Sequence, residues 1–204
     1  NLVRRRYIMK LDTHDMIKSI LDNISAIDHI KTADIPNIEL YMDQVTTFMD
    51  SQMASSKRYP DDKVLTKTMI NNYAKNHLLP SPNKKKYSKE HVLMLIFIYY
   101  FKSFLSISDI QALLTPLADK YFQKNEGLNM EDLYNEVFGM EKEQVENLKK
   151  DLMEKYDTAS KSFADAGEKD REFLTMFSFI CLLSFDVYMK KQLIESIIDS
   201  FPSD

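Results

Sequence analysis

Apolar residues recur at helical spacing along most of the chain, and alternating strand-like patterns are scarce. After a cap at Asp12 or Thr13, Ile17, Ile20, Leu21, Ile24 and Ile27 define a first helix. A second is predicted from about Asp34-Ile35-Pro36, with proline in the first turn and Ile38, Tyr41, Val45 and Phe48 repeating at 3, 4 and 3 residues. The polar stretch 55–62 is a connector. Thr66 then caps a short helix through about Asn76, whose Ile70, Tyr73 and Ala74 face inward. Pro80 and Pro82 stop that helix. Ser88, with Glu90 and His91, opens the next one, and its body 92–104 is apolar on nearly all faces, so neighbours must cover it on most sides. Its aromatics Phe97, Tyr99, Tyr100, Phe101 and Phe104 read as core or subunit contacts. Ser106 or Ser108 caps a further helix with Ile107, Ile110, Leu113 and Leu114 inward. Beyond it, 130–138 is a short helix ended by Gly139. A longer helix, 141–164, carries the stripe Val145, Leu148, Leu152, Tyr156, Ala159 and Phe163. After Gly167 a final helix spans 169–199, with the apolar block 173–185 at its centre.

The expected fold class is therefore all-α, and composition agrees: 204 residues, 44% hydrophobic, with only 3 Gly and 6 Pro to make tight turns. The pattern divides the chain into an N-terminal extension 1–9, N-terminal helices 10–54, a central segment 55–120 and a C-terminal helical region 121–204. Met9 can serve as a start, with the residues before it an extension. The opening arginines are followed by no long apolar run, so no secretory signal is read there. The block 173–185 is shorter than the ~20 residues of a membrane span and reads as a buried or partner-facing helix, with no membrane contact expected. Cys181 is the single cysteine, excludes an intrachain disulfide, and fits a cytoplasmic location.

Charge changes the picture. The chain has a net charge of −4, yet residues 57–91 hold nine basic residues against three acidic ones, a net +6, which leaves −10 for the rest. An acidic protein with its positive charge gathered in one short stretch steers that stretch toward polyanions. Within it, Lys67, Thr68, Asn71, Asn72 and Lys75 fall on the face of the short helix opposite Ile70 and Tyr73. Two successive asparagines are locally unfavourable in a helix, but an exposed Asn can make a bidentate contact to an adenine edge, and Thr and Lys beside it can hold phosphates. Lys84, Lys85 and Lys86, followed by Tyr87, form a small basic wing. The candidate DNA-binding residues are thus Thr66, Lys67, Thr68, Asn71, Asn72, Lys75, Lys84, Lys85, Lys86 and Tyr87.

A capped helix, a leucine pair, a basic turn ending in tyrosine and two serine-led helices is the order in which a winged helix-turn-helix presents a helix and a loop to a duplex. The stretch of about 64–117 resembles the N-terminal domain of MerR-type transcription regulators. Thr66 stands at that family's Ser or Thr cap, Leu78 and Leu79 at its leucine pair, Lys85 at the wing arginine, and Tyr87 at the wing-ending tyrosine. Ser106-Ile107 and Asp109-Ile110 match the opening of its last helix. The resemblance covers about a quarter of the chain and implies a winged helix-turn-helix with a minimal wing, sequence-specific DNA binding, and a C-terminal region that joins two subunits and takes an effector. Asn71 replaces the family's duplex-contacting arginine, so base readout differs. His77 replaces the glycine ending the reading helix, leaving Asn76 to make the left-handed turn. The wing is about three residues shorter, and the candidate first helix, 38–53, is not joined by a tight turn. Most of the chain is also similar to an uncharacterised bacterial family that carries this segment in mid-chain and brings no assigned function.

Catalysis finds little support. The four histidines are dispersed, and HExxH, GxSxG, P-loop and GxGxxG patterns are absent from the sequence. Glu141, Glu143 and Glu146 read as solvent-facing. No enzyme, metal or other cofactor is expected. The expected partners are double-stranded DNA, a second copy of the chain, and an apolar small-molecule effector in the Met- and Phe-rich C-terminal part. The alternative is a helical adaptor whose basic segment binds an acidic protein partner.

Overall fold

A computed structural model describes residues 13–25, 29–124 and 126–202. The expected extension 1–9, the cap at Asp12 and the apolar position Ile27 lie outside the described residues. The architecture is mainly α-helical: α1 (Thr13–Ser25), β1 (Leu40–Tyr41), α2 (Met42–Gln52), α3 (Lys67–Lys75), β2 (Lys86–Tyr87), α4 (Lys89–Phe101), α5 (Ile107–Tyr121), α6 (Met130–Gly139), α7 (Glu141–Ser160) and α8 (Glu168–Asp199). Short 3-10 turns at Thr32–Asp34 and Ala54–Ser56 complete it.

The centre is α4. Residues 91–98 are all buried, and none of the seven apolar ones is more than 6% exposed. Removing such side chains from water contributes about 2 kcal/mol each, as an upper bound. Ser88 starts the helix, and the His91 ring accepts from the Ser88 backbone N–H through Nδ1 (2.9 Å). Packed round this spine are Val45 and Met49 of α2, Ile70 and Tyr73 of α3, Ile110 and Leu114 of α5, and Met130, Tyr134 and Phe138 of α6. Phe97 meets Tyr134 edge-on and Phe138 at a tilt, while Tyr100 also packs on Phe138.

Several sequence expectations shift. The second helix begins at Met42, not near Pro36, because Leu40 and Tyr41 are drawn into an antiparallel ladder with Tyr87 and Lys86. Ile38 (67% exposed) and Tyr41 (55%) consequently face outward, and Gln44 accepts from the Tyr41 N–H (2.8 Å) to start α2. Ile107 is exposed because it is the first residue after the Ser106 cap, before α5 meets the core.

The N-terminal helices do not form one unit. Ile17 and Leu21 of α1 pack with Leu152 and Ala159 of α7 and Phe179 of α8 in a small second cluster, whereas residues 30–53 join the main core. Ile20 is turned outward. The α7–α8 hairpin is antiparallel, tied by Lys155–Asp186 (3.4 Å) and Ser162–Ser178 (2.9 Å). Leu148 of the predicted stripe is exposed, and α7 ends at Ser160, short of the expected 164, because the chain turns there with Phe163 left-handed (φ 52°) and exposed. Glu141 is not simply solvent-facing: it bonds the His29 ring (2.9 Å), which stacks on Phe138 and so ties the start of α7 to the main core.

The block 173–185 belongs to a helix of 32 residues, about 48 Å long. Its stretch Asp170–Asp199 is long and apolar enough to cross a membrane by length and composition, with a mean hydropathy of 1.5 over 18 residues of which 11% are buried. The sequence reading measured only the block 173–185 against a span, whereas the apolar run continues past Asp186 through Val187, Tyr188 and Met189.

His91 gives the core a pH dependence. Its ring is 2% exposed, sits edge-on to Tyr87 and Phe122, and has the Pro80 and Ser81 carbonyls nearby, while its Nε2 has no hydrogen-bond partner among the described residues. Burial holds its pKa below the ordinary histidine value, against a smaller upward pull from those carbonyls and Glu39. A depressed folded pKa means that stability is whole above the unfolded value of about 6.5 and falls below it, as the unfolded chain takes up a proton the folded ring resists. Urea denaturation at pH 7 and pH 5 should show that loss, and it should shrink in His91→Gln, which keeps a helix-start acceptor but cannot titrate.

Candidate nucleic-acid interface

The short helix α3 is shaped at both ends by local chemistry. Thr66 caps it, its Oγ1 accepting from the Met69 N–H (3.2 Å). At the other end the N–H of Leu78 bonds the carbonyl of Tyr73 (2.9 Å), and that of His77 bonds Ala74 (3.3 Å). This is a Schellman stop. The left-handed residue is His77 (φ 57°), where a glycine is ordinarily favoured, and not Asn76, which stays at φ −94°. The stop drives Leu78 and Leu79 into the core, each 1% exposed.

With Ile70 and Tyr73 buried, the opposite face presents Lys67, Thr68, Asn71, Asn72 and Lys75 to solvent. These residues share the surface that the sequence predicted. Two of the candidates are already engaged: Thr66 by its capping bond and Lys67 by an ion pair with Asp43 of α2. Asn71 and Asn72 are exposed, and the Asn72 carbonyl accepts from the Asn76 side chain (2.8 Å). Lys75 makes no ion pair among the described residues.

The wing is a tight turn. Lys86 donates its backbone N–H to Asn83 (2.9 Å), and the two central residues, Lys84 (φ 48°) and Lys85 (φ 66°), are both left-handed. Positive φ at both central positions is the I′ hairpin pattern, which favours Asn-Gly. Holding two lysines there costs on the order of 1 kcal/mol each. Both are exposed and form no ion pair among the described residues. Lys86 is partly spent, 3.9 Å from Glu39 and over the Tyr41 ring. Tyr87 is not on the surface: it is 3% exposed, its pKa is raised by burial, and it rests against His91. Alternation along β2 explains the correction, since Lys86 and Tyr87 must point to opposite faces. Tyr87 anchors the wing from beneath.

The chain from Asn76 to Asn83 has seven peptide units, so helix end and wing start lie within about 25 Å of one another. Both are carried on one frame, with α3 packed on α2, β1 paired with β2, and β2 packed on α2 and α4. Of the remaining cations of the basic stretch, Lys89 pairs with Glu131 of α6 (2.8 Å). Lys57, Arg58 and Lys63 join Lys102, a residue that sequence reasoning missed, around a cavity of about 410 Å³ at the far end of α4. A lysine closing an apolar helix was the only available signal. No group of three or more His, Cys, Asp or Glu placed to hold a metal occurs among the described residues.

A family model described as a domain of unknown function, DUF1836, matches residues 30–137, just over half of the chain, and the chain belongs to that family. The matched span coincides with the main core, which runs from Ile30 to Phe138 with Ile198 added. No curated protein and no solved structure matches.

The wing turn makes stability and charge separable. Replacing Lys84-Lys85 by Asn-Gly relieves the backbone and should raise the unfolding free energy by about 1–2 kcal/mol in a urea titration.

Proposed function

We propose that this protein is a sequence-specific, DNA-binding transcriptional regulator of winged helix-turn-helix type, acting as a homodimer. The observation that carries the reading is the pair of unpaired lysines held in an unfavourable backbone conformation at the wing tip. Strain kept where a cheaper sequence exists points to use. Three further features support it: the exposed amide face of α3, the strand–helix–helix–hairpin order from β1 to β2, and the net +6 of residues 57–91. In this reading Asn71 and Asn72 meet base edges in the major groove, and Lys75, Lys84 and Lys85 neutralise phosphates.

The homodimer rests on α8. Phe173 (70% exposed), Phe177 (52%), Ile180 (55%), Val187 (64%) and Tyr188 (64%) lie on one face, while Phe185, Met189, Leu193 and Ile197 form a separate exposed strip round the helix. Taking about 200 Å² for a fully exposed large side chain, the first face exposes on the order of 600 Å² of apolar surface. That is at the upper end of the ~300–600 Å² patches typical of monomers and approaches the ~800 Å² each partner contributes to a standard interface. Two copies also double the phosphate contacts and suit a palindromic site.

The test is selection of bound fragments from genomic DNA, followed by anisotropy titrations on the recovered site and on unrelated duplexes. Three unpaired lysines per protomer give six per dimer, so log affinity should fall against log salt with a slope of about −5. Lys85→Ala should weaken all duplexes alike and reduce that slope by about 2. Asn71→Ala should instead change which sequence is preferred. Equal losses on every sequence for both variants would remove Asn71 from the reading. For the subunit contact, Phe177→Asp should shift sedimentation from dimer to monomer and roughly halve the salt slope; an unchanged dimer would place the interface elsewhere.

A further inference from the structure

At the end of α4 remote from the wing, the α2–α3 connector is stitched to the helix rather than left loose. Ser56 shares a hydrogen bond with the Tyr99 hydroxyl (2.6 Å), and Lys102 donates to the Val64 carbonyl (2.7 Å). Between connector and helix lies an open cleft of about 410 Å³. That volume falls within the ~300–1,000 Å³ range of small-molecule sites and is far larger than a bare phosphate needs.

Its walls are of two kinds. Tyr99 and Tyr100, half-buried and edge-to-face at 6.1 Å, supply rings. Lys57, Arg58, Lys63 and Lys102 supply positive charge, against Asp62 alone among the lining acids. Asp62 already accepts the Tyr59 N–H (3.0 Å), and Lys57 is held by Asp50 behind the wall (2.8 Å). The other three cations lack a close ion pair among the described residues, although Arg58 lies over the Tyr59 ring (5.4 Å to its centroid). Arg58 makes no ion pair among the described residues, and Lys63 reaches Asp50 only at 3.9 Å while 68% exposed. Lys102 has three N–H donors, of which one meets the Val64 carbonyl while its charge lies over the Tyr99 ring at 4.7 Å. Burial also pushes the Lys102 ammonium below the usual lysine range, so an arriving anion would relieve a charge that the fold leaves poorly solvated.

We propose that this cleft binds a small phosphate ester with a planar organic body, of about mononucleotide size. Arg58, Lys63 and Lys102 hold the phosphate, and the Tyr99 and Tyr100 rings receive the planar part. A doubly charged phosphate suits three incompletely paired cations better than a carboxylate does. The site is independent of duplex binding. Its bound state clamps the connector that runs through buried Val64 and Leu65 into the Thr66 cap of α3.

Isothermal titration of the full chain without DNA tests this, using adenosine and uridine 5′-monophosphates as probes beside inorganic phosphate and the two free nucleosides. At least one nucleotide should bind ten times or more tightly than either phosphate or its nucleoside. Arg58→Ala and Lys63→Ala, both at exposed positions, should each lower that affinity about tenfold, the loss of one charge-assisted contact. Lys85→Ala should leave it unchanged. No binding of either nucleotide at millimolar concentration overturns the proposal, as does nucleotide binding no tighter than phosphate. Equal loss in Lys85→Ala would move the site to the wing. Reduced duplex affinity in Arg58→Ala with nucleotide affinity intact would make the cleft part of the duplex surface and overturn the proposal as well.

Discussion

From His91 to Ile98 the α4 helix has no solvent-facing residue, and the elements of the 30–138 part are arranged to keep it so. A helix apolar on every side cannot lie at a surface; it must be wrapped. Here α2, α3, α5 and α6 each contribute buried side chains to the wrapping. The α3 helix is only nine residues long, too short to persist alone, and owes its existence to this contact.

That dependence explains the geometry of the candidate interface. Ile70 and Tyr73 are committed to the core, so the asparagine and lysine face of α3 has only solvent to turn to. The wing is fixed in the same way. Tyr87 is buried against His91, and β2 pairs with β1, so Lys84 and Lys85 stand at the end of a rigid turn. A turn held in this way presents its charges in a fixed position, which is what lowers the ordering cost of a contact.

The C-terminal hairpin obeys a different balance. Beyond residue 137 the family match ends, and with it the wrapped core. Among the described residues the second cluster buries Ile17, Leu21, Leu152, Ala159 and Phe179, with Tyr156, Met176, Leu182 and Leu183 partly buried against them, a small share of the apolar surface that α1, α7 and α8 present. The end of α8 does return to the main core, through Ile194 and Ile198. The helix is therefore anchored at one end and paired along its middle, with a long apolar side left to solvent.

Sequence periodicity, capping residues and proline positions were enough to place α3, α6 and α8 nearly to the residue and to place the starts of α4 and α5, because each is specified by contacts within one or two turns. The solvent-facing set on α3 was legible for the same reason: fixing Ile70 and Tyr73 inward fixes Asn71 and Lys75 outward. What depended on distant partners was not legible. Leu40 and Tyr41 read as helix until Tyr87, some 46 residues away, recruits them into a ladder. Tyr87 read as a contact until that ladder turned it inward, and the left-handed residue ending α3 proved to be His77, since the Schellman bonds of Leu78 set the position. The association of α1 with α7 and α8, and the meeting of Lys102 with Arg58 and Lys63, are likewise decided in three dimensions. The chain's own pattern determined a mainly helical protein with a wrapped spine and a concentrated basic stretch, because hydrophobic period and local charge are written residue by residue. Only the tertiary structure decided how that charge is divided between wing, helix face and cleft, because pairing across long sequence separations is set by which surfaces the spine brings together.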